Sequence, residues 1–185
     1  MISKLHDDVS TADQLWELSA EGKRCELIRG KLHMMSPAGN EHGQVAMAIG
    51  ASLFQHVKKR QLGKTYAAET GFRIARDPDT VRAPDAAFVS TQRLACVEAT
   101  SAYLELAPDL VVEVVSPNDV FSDVEDKVSQ WLAAGSKIVL VANPKDASLR
   151  IYRSPVKIEI LRPGDCFDAG DVCGNWNLKV SDVFE

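Results

Sequence analysis

Leu110-Val111-Val112-Glu113-Val114-Val115-Ser116 is a nearly continuous apolar stretch with one carboxylate in its middle, and it lies between Pro108 and Pro117. This pattern predicts a strand buried on both faces, because seven residues are too few for a buried helix. An ionised carboxylate is almost never buried unless it is paired or bound to a metal. We therefore expect Glu113 to have a partner elsewhere in the chain, and the flanking segments supply the candidates.

The composition is typical of a single globular domain, which we expect to span residues 1–185. Hydrophobic residues make up 45% of the chain, which is enough for a substantial core. Residues 1–7 include no apolar signal region, and no stretch approaches the roughly 18 apolar residues of a membrane helix. The chain has four scattered cysteines without a CxxC pair: Cys25, Cys96, Cys166 and Cys173. We expect a cytoplasmic protein whose reduced thiols pack as small core residues.

The net charge of −5 argues against a sequence-independent nucleic-acid binder, because phosphate contacts come from clustered lysine and arginine. It does not exclude such a binder, since acids gathered around a divalent cation add to the negative count. The basic stretch Lys58-Lys59-Arg60 is the best local candidate for a phosphate contact. It would also complement the dipole at a helix C-terminus.

Helix and strand signals predict an α/β (α+β) protein in which helices flank a mixed sheet. Trp131 and Trp176 are expected to pack in its core. The predicted elements are a short helix from Ser10 or Thr11 to Gly22, a β-hairpin of 25–28 and 31–35, a long helix over 41–61, strands over 66–75, 81–89 and 110–116, a helix over 120–135, an interior strand over 137–143 and antiparallel strands over 149–153 and 157–161.

A second acid, Asp85, follows Pro84 at the start of another apolar strand. Two acids on adjacent buried strands raise each other's pKa, so they coexist only if a cation lies between them or one holds a proton. Mg²⁺ and Mn²⁺ prefer carboxylate and carbonyl oxygens, and one or two acids plus a substrate phosphate are typical of Mg²⁺. Lys127, in the helix after the Glu113 strand, could lean its amine back over the strand end.

The order Pro84-Asp85, Glu113-Val114-Val115-Ser116-Pro117 and Asp126-Lys127 resembles the Uma family of putative restriction endonucleases, a branch of the PD-(D/E)XK nuclease superfamily. The likeness covers about residues 11–184 and implies a restriction-endonuclease-like mixed sheet with an N-terminal hairpin and C-terminal antiparallel strands. It also takes in Glu26–Leu32, Met35-Ser36-Pro37, His42, Ala134-Gly135, Val139-Leu140-Val141 and Ile151-Tyr152-Arg153. In the superfamily a lysine usually lies two residues after the second acid. Here that position is Val115, and Lys127 corresponds to the lysine of the Uma pattern.

The resemblance implies metal-dependent cleavage of DNA phosphodiester bonds. Asp85 and Glu113 would hold Mg²⁺, with Mn²⁺ as a substitute, together with a backbone carbonyl such as that of Val114 or Val115. The metal would acidify a bound water and neutralise charge on the phosphate. Lys127 would orient the nucleophilic water or stabilise the transition state. A homodimer is expected, because cutting both DNA strands needs two sites.

Glu26 and His42 also match family positions, and the resemblance implies supporting or proton-handling roles for them near the metal. Each candidate also has a plain structural interpretation. Glu26 could form a cross-strand ion pair with Lys31, and His42 could be a hydrogen bonder at a helix start. Asp85 could accept backbone N–H bonds at a strand entry, and Lys127 could lie on a solvated helix face.

Two other functions stay open at this level. One is a non-catalytic module that keeps the nuclease fold and binds nucleic acid or a protein, which Val115 at the usual lysine position and the negative net charge favour. The other is a metal-dependent hydrolase of a different phosphate ester, because no residue identifies the substrate.

Overall fold

The computed structural model describes residues 9–20, 22–117 and 119–184. The start of the chain, for which we expect no signal region, lies outside the described residues. The helices are α1 (Ala12–Ser19), α2 (Asn40–Arg60), α3 (Thr91–Leu94), α4 (Phe121–Ala133) and α5 (Ser181–Phe184). The strands are β1 (Cys25–Ile28), β2 (Lys31–Met34), β3 (Gly63–Ala67), β4 (Phe72–Ala75), β5 (Thr80–Arg82), β6 (Ala86–Ser90), β7 (Leu110–Val114), β8 (Ile138–Asn143), β9 (Ser148–Ser154), β10 (Lys157–Leu161), β11 (Cys166–Asp168) and β12 (Asn177–Lys179). Within these ranges, no helix has both the length and the apolar character needed to cross a membrane.

The main sheet has six strands in the order β10-β9-β8-β7-β6-β3. β7 and β8 pair in parallel, and every other neighbouring pair is antiparallel. This arrangement confirms the predicted mixed sheet, and it puts the quoted apolar stretch at its centre. All five residues of β7 are buried, as the absence of polar alternation predicts for an interior strand.

The side chains of β7 alternate between two apolar cores on opposite faces of the main sheet. Val112 and Val114 belong to the core that contains the buried face of α2. Val111 belongs to the core that contains Trp131 of α4. Because successive side chains of a strand point to opposite faces, Glu113 lies on the α4 side of the sheet.

Two smaller sheets complete the fold. The strands β2-β1-β5-β4 form a four-stranded sheet, and Leu27 and Val81 of that sheet pack with Leu15 of α1. The strands β11 and β12 form an antiparallel hairpin. The hairpin region is anchored on the α2 side of the main sheet, where the buried Trp176 donates a hydrogen bond from Nε1 to Ser52 Oγ over 3.1 Å.

The predicted β-hairpin near the N-terminus is confirmed. Arg29 and Gly30 connect β1 to β2, and both have positive φ, +50° and +70°. This is the pattern of a type I′ turn, which matches strand twist, needs positive φ at both central positions and favours glycine at the second. The turn is held from outside, because Gly30 N donates to Asp79 O over 2.8 Å and Arg29 N to Thr80 Oγ1 over 3.0 Å.

Two of the predicted strands are wrong as single units. The segment 66–75 is divided between β3 in the main sheet and β4 in the four-stranded sheet, and 81–89 is divided in the same way between β5 and β6. Glu69 has a φ of +71° in the first break. Pro84 lies in the second break, where it cannot donate to a ladder. The second break places Asp85 immediately before β6.

The cysteines differ in part from expectation. All four are free thiols and Cys173 is buried, but Cys96 and Cys166 are exposed. The prediction that all the thiols pack in the core is therefore wrong for these two. Cys166 faces solvent because it lies on the outer side of β11, whose alternate residue Phe167 is buried.

Asp79 joins α1 to the four-stranded sheet. Its buried carboxylate accepts hydrogen bonds from Ala12 N over 2.8 Å and from Arg73 Nη2 over 2.7 Å and 2.9 Å. Burial by itself would raise the pKa of Asp79, but the Ala12 N–H and the Arg73 guanidinium hold that pKa below its usual value. The ionised carboxylate therefore stabilises the folded state.

We expect Asp79→Asn to lower the free energy of unfolding at neutral pH by about 1–3 kcal/mol, because charged hydrogen bonds are lost. A depressed folded-state pKa stabilises the protein above the unfolded pKa, and that contribution is lost as pH falls. The difference between wild type and variant should therefore shrink below a pH of about 4. Urea denaturation across pH measures it. Asp171→Asn, at an exposed position, is the matched control, and a difference that stays constant with pH would contradict the assignment.

Candidate active site

The candidate site lies where β7 ends, beside the start of β6. Antiparallel pairing of the two strands sets Ala86 opposite Val112, so the residue before β6 meets the last residues of β7. Asp85 N donates to Val112 O over 3.0 Å, and Val114 N donates back to Asp85 Oδ2 over 2.8 Å. Asp85 therefore accepts the backbone bond expected of a strand-entry acid, and its carboxylate is also held at the end of the strand that carries Glu113.

Glu113 is buried, with 6% of its surface exposed, and each of its carboxylate oxygens accepts a hydrogen bond from α4. Lys127 Nζ donates to Oε2 over 2.8 Å, and Trp131 Nε1 donates to Oε1 over 2.8 Å. Positions four apart lie one turn apart on the same helix face. One face of α4 thus supplies both donors that the buried carboxylate requires.

The pKa values of this pair follow from their burial and their neighbours. Burial raises the pKa of Glu113 to about 7; Lys127 opposes this rise, while Asp85 and Glu26 add to it. Burial would lower the pKa of Lys127, but the Glu113 and Glu26 carboxylates raise it above its usual value. Lys127 is therefore a cation at neutral pH.

Glu26 is the second acid that faces Lys127, at 3.8 Å from its Oε1 to Lys127 Nζ. Its shorter contacts are with Arg82 Nη1, 2.7 Å from Oε2, and with Ala83 N, 2.8 Å from Oε1. Glu26, Arg82, Glu113 and Lys127 form a group of alternating charges that we call the buried ion network. The cross-strand pair of Glu26 with Lys31 is not formed, because the two-residue turn sets Glu26 opposite His33.

His42, in the first turn of α2, contacts the site from α2, whereas Lys127 and Trp131 contact it from α4. Its Nε2 lies 3.2 Å from Asp85 Oδ2. The hydrogen bond to Asp85 raises the pKa of His42 above its usual value, although burial works in the opposite direction. The other ring nitrogen, Nδ1, is buried and has no hydrogen-bond partner among the described residues.

The donors at this site fit a hard cation that is not fully enclosed by protein. Among residues 9–20, 22–117 and 119–184, no three His, Cys, Asp or Glu side chains are grouped as metal ligands. Mg²⁺ usually takes only one or two carboxylates, with water and substrate phosphate completing its shell. Asp85 and Glu113 match that pattern. Asp85 Oδ1 receives no hydrogen bond from the described part of the chain, so it is available for a cation.

A cavity of about 410 Å³ adjoins the site between the N-terminal ends of α2 and α4. His42 and Val115 line the part of the cavity nearest the acids. On its outer side, the guanidinium of Arg150 lies 5.4 Å from the centre of the exposed Phe121 ring. Lys145 also lines the cavity. The cavity therefore offers a space next to His42 in which an extended ligand could approach Asp85.

Comparison with known proteins identifies the family. The model of Uma2, described as putative restriction endonuclease, matches residues 12–181. The chain belongs to the Uma2 family. A crystal structure of a putative nuclease of the DUF820 family from Anabaena variabilis has the same fold, with a TM-score of 0.79 and 17% identity over 94% of this chain and 97% of that one. No protein with a curated description matches the chain. The predicted resemblance and the restriction-endonuclease-like fold are both confirmed.

The five site residues predicted for this Uma2 family member come together in the structure. Hydrogen bonds and ion pairs connect Lys127 to Glu113 and Glu26, and His42 to Asp85. Their catalytic and metal-binding roles stay predictions. The solvated-face interpretation of Lys127 is wrong, because its ammonium is directed at two buried acids.

Three residues of the site were not foreseen. Trp131 packs in the core as expected, yet its indole also binds Glu113; its position four residues after Lys127 was the available signal. Arg82 is buried against Glu26, and Gln130 Oε1 accepts from Arg82 Nε over 3.1 Å. No feature of the neighbouring sequence indicates that Arg82 is part of the site, because its partner Glu26 is on another strand.

We expect Arg82→Met to lower the free energy of unfolding by about 3–5 kcal/mol, since it leaves the buried Glu26 carboxylate without its closest cation. The double variant Glu26→Met/Arg82→Met should be more stable than the single one, because no charge of the pair is left unpaired. Urea denaturation of wild type, both single variants and the double variant measures the coupling. Additive losses would contradict a direct interaction.

Proposed function

We propose that this Uma2 family protein is a single-domain, Mg²⁺-dependent endonuclease that hydrolyses phosphodiester bonds of DNA. One observation carries the proposal: Lys127 Nζ lies 2.8 Å from Glu113 Oε2, at the strand end where Asp85 is also held. Two acids and a lysine are thus assembled even though Val115 occupies the usual lysine position. Membership of a family described as putative restriction endonuclease supports the same reaction.

In this proposal Asp85, Glu113 and the backbone carbonyl of Val114 hold Mg²⁺, with Mn²⁺ as a substitute. Bound there, the ion would lower the pKa of a coordinated water and neutralise charge on the phosphate. The protein residues hold the acids in place beforehand. Asp85 is oriented by Val114 N and by His42, and Glu113 by the indole of Trp131. Such supporting hydrogen bonds fix the direction in which a carboxylate presents its lone pairs.

Lys127 supplies a positive charge beside the acids. Two carboxylates raise its pKa, so its ammonium stays protonated and can donate hydrogen bonds. In this role it orients the attacking water or stabilises the negative charge that develops on the phosphate. Glu26, which is itself paired with Arg82, also faces the ammonium within the buried ion network. His42 lines the cavity next to Asp85, where a proton-handling role is open to it.

The substrate assignment rests on the family and on the charges around the cavity. Its lining includes two cations, Lys145 and Arg150, that could contact a DNA backbone, and also the acids Glu41 and Asp119. The stretch Lys58-Lys59-Arg60 is less suitable, because it ends α2 while His42 begins it. The rise of an α-helix separates these two ends by roughly 27 Å. We also propose a homodimer, because cleavage of both DNA strands needs two sites. The proposed location is the cytoplasm.

A non-catalytic binding module is the second candidate. One observation favours it: both carboxylate oxygens of Glu113 are already hydrogen-bonded within the protein. A cation would have to share these oxygens with Lys127 and Trp131. Binding of DNA without cleavage distinguishes this candidate from the nuclease.

The purified protein should nick supercoiled plasmid DNA with Mg²⁺ or Mn²⁺ and not with EDTA. We expect Asp85→Asn, Glu113→Gln and Lys127→Met each to lower the nicking rate by at least about a hundredfold, because each removes charge stabilisation at the phosphate. Circular dichroism should show that the variants remain folded. Plasmid relaxation on agarose gels measures the rate.

The matched controls are Asp171→Asn, Glu98→Gln and Lys179→Met, which make the same chemical changes at exposed positions. They should nick at the wild-type rate. Undiminished nicking by Asp85→Asn would assign the activity to another site or protein. Wild-type protein that retards DNA in a gel without cutting it would support the binding module instead.

Trp131→Phe tests the orientation of Glu113, because it removes the N–H donor and keeps most of the ring packing. We expect the Mg²⁺ concentration for half-maximal nicking to rise by roughly 10–100-fold, as is typical for groups that orient metal ligands. Trp176→Phe is the control, since it removes a comparable indole bond, to Ser52, far from the acids. Equal effects of the two changes would indicate a general loss of stability.

A further inference from the structure

The outer edge of the main sheet carries an exposed apolar surface. β10 is the last strand on that side, and no strand of the described chain pairs with its outer edge. Two large apolar side chains of β10 are exposed, Ile158 at 47% and Ile160 at 53%, and Val156, in the turn before the strand, is 93% exposed. An edge strand with free backbone groups and exposed apolar side chains is a template for pairing with another strand.

Pairing with β9 defines the two faces of β10. Ile158 lies opposite Tyr152 and Ile160 opposite Arg150, whereas Glu159 lies opposite the buried Ile151. Opposed residues share a face of the sheet, and Tyr152 belongs to the core that contains α4. The exposed isoleucines therefore lie on the α4 side of the sheet. Lys157 and Glu159 lie on the opposite face.

The outer edge of β10 is also regular. The register with β9 shifts between Lys157, which pairs with Ser154, and Ile158, which pairs with Tyr152. The unmatched residue, Arg153, is in β9, so β10 continues without an inserted residue from 157 to 161. A bulge in the edge strand itself is one of the ways in which proteins block pairing, and it is absent from this strand.

We propose that β10 binds β10 of a second copy of this chain, antiparallel and with the twofold axis at Ile158. In that register Ile158 lies opposite its own counterpart, and Ile160 of each copy lies next to the turn that contains Val156 of the other copy. Lys157 lies opposite Glu159 of the second copy on the other face, and the twofold axis repeats that pair. Apolar side chains therefore meet apolar ones, and both charge pairs are of opposite sign.

The charges of Lys157 and Glu159 favour this register over the registers shifted by one residue. Moving the axis to Lys157 would set two lysines directly opposite each other, and moving it to Glu159 would set two glutamates opposite each other. Like charges directly opposite across strands are destabilising. A register with the axis between residues would pair isoleucine with a charged residue. Self-complementarity of this kind is what a twofold interface between identical chains requires.

The interface would join two main sheets edge to edge. It does not rest on the proposed nuclease function, because β10 is separated from β7 by β9 and β8. The interface concerns assembly alone, and it leaves Asp85 and Glu113 within each copy. An inactive protein could therefore still form this dimer, and a monomeric one could still cut DNA.

Charge reversal tests the register directly. Wild type should be a dimer by light scattering coupled to size-exclusion chromatography. Lys157→Glu and Glu159→Lys should each raise the dissociation constant at least about tenfold, because each turns both attractive pairs into repulsive ones. The double variant Lys157→Glu/Glu159→Lys restores opposite charges and should dimerise like wild type. An equimolar mixture of the two single variants should form a heterodimer for the same reason.

These outcomes separate the proposal from its alternatives. The double variant and the mixture contain the same substitutions as the weakened single variants, so their recovery excludes misfolding as the cause. A wild-type protein that stays monomeric throughout the micromolar range would overturn the proposal. Single variants that dimerise as tightly as wild type would also overturn it, because another surface would then hold the dimer.

Discussion

The burial of the Glu113 carboxylate in the central strand is the constraint on which the rest of the site depends. Apolar cores cover both faces of this central strand, so the acid can be satisfied only by protein groups or by a metal. The strand alternation directs it towards α4. That helix has to present donors at this point, and Lys127 and Trp131 provide them one turn apart.

The same constraint connects the two larger sheets. Lys127 faces Glu113 of the main sheet and Glu26 of the four-stranded sheet, and Arg82 compensates the second acid. Alternating charges make each ion acceptable inside the protein, whereas any one of them alone would carry a large desolvation cost. The buried ion network therefore holds α4 between the sheets. It also holds the ammonium group in one orientation beside the acids.

The position of Lys127 explains how this chain can lack a lysine two residues after Glu113 and still bring an amine to the acids. A lysine two residues after the second acid reaches the site from the same strand. Here Val115 occupies that position, and the amine comes from α4 over a sequence separation of 14 residues. What the proposed reaction requires is a cation next to two carboxylates, and a packed helix can position one as firmly as a strand.

The sequence by itself determined the features that depend on neighbouring residues. The apolar stretch around Glu113 indicated a central strand, Arg29-Gly30 indicated a two-residue turn, and the apolar periodicity of 41–61 indicated α2. The acid before a second apolar strand and the lysine in the following helix indicated Asp85 and Lys127 as candidate partners of Glu113, and the family motifs supported both. Periodicity and turn chemistry act within a few residues, so a single sequence carries them.

Tertiary structure alone decided which distant segments meet. The segments 66–75 and 81–89 look continuous, but each is divided between two sheets, and only the second division places Asp85 beside Val114. Glu26 binds Arg82 instead of Lys31, because its partner is set by packing between strands from separate parts of the chain. Such pairings depend on contacts between residues far apart in sequence, for which local pattern has no signal.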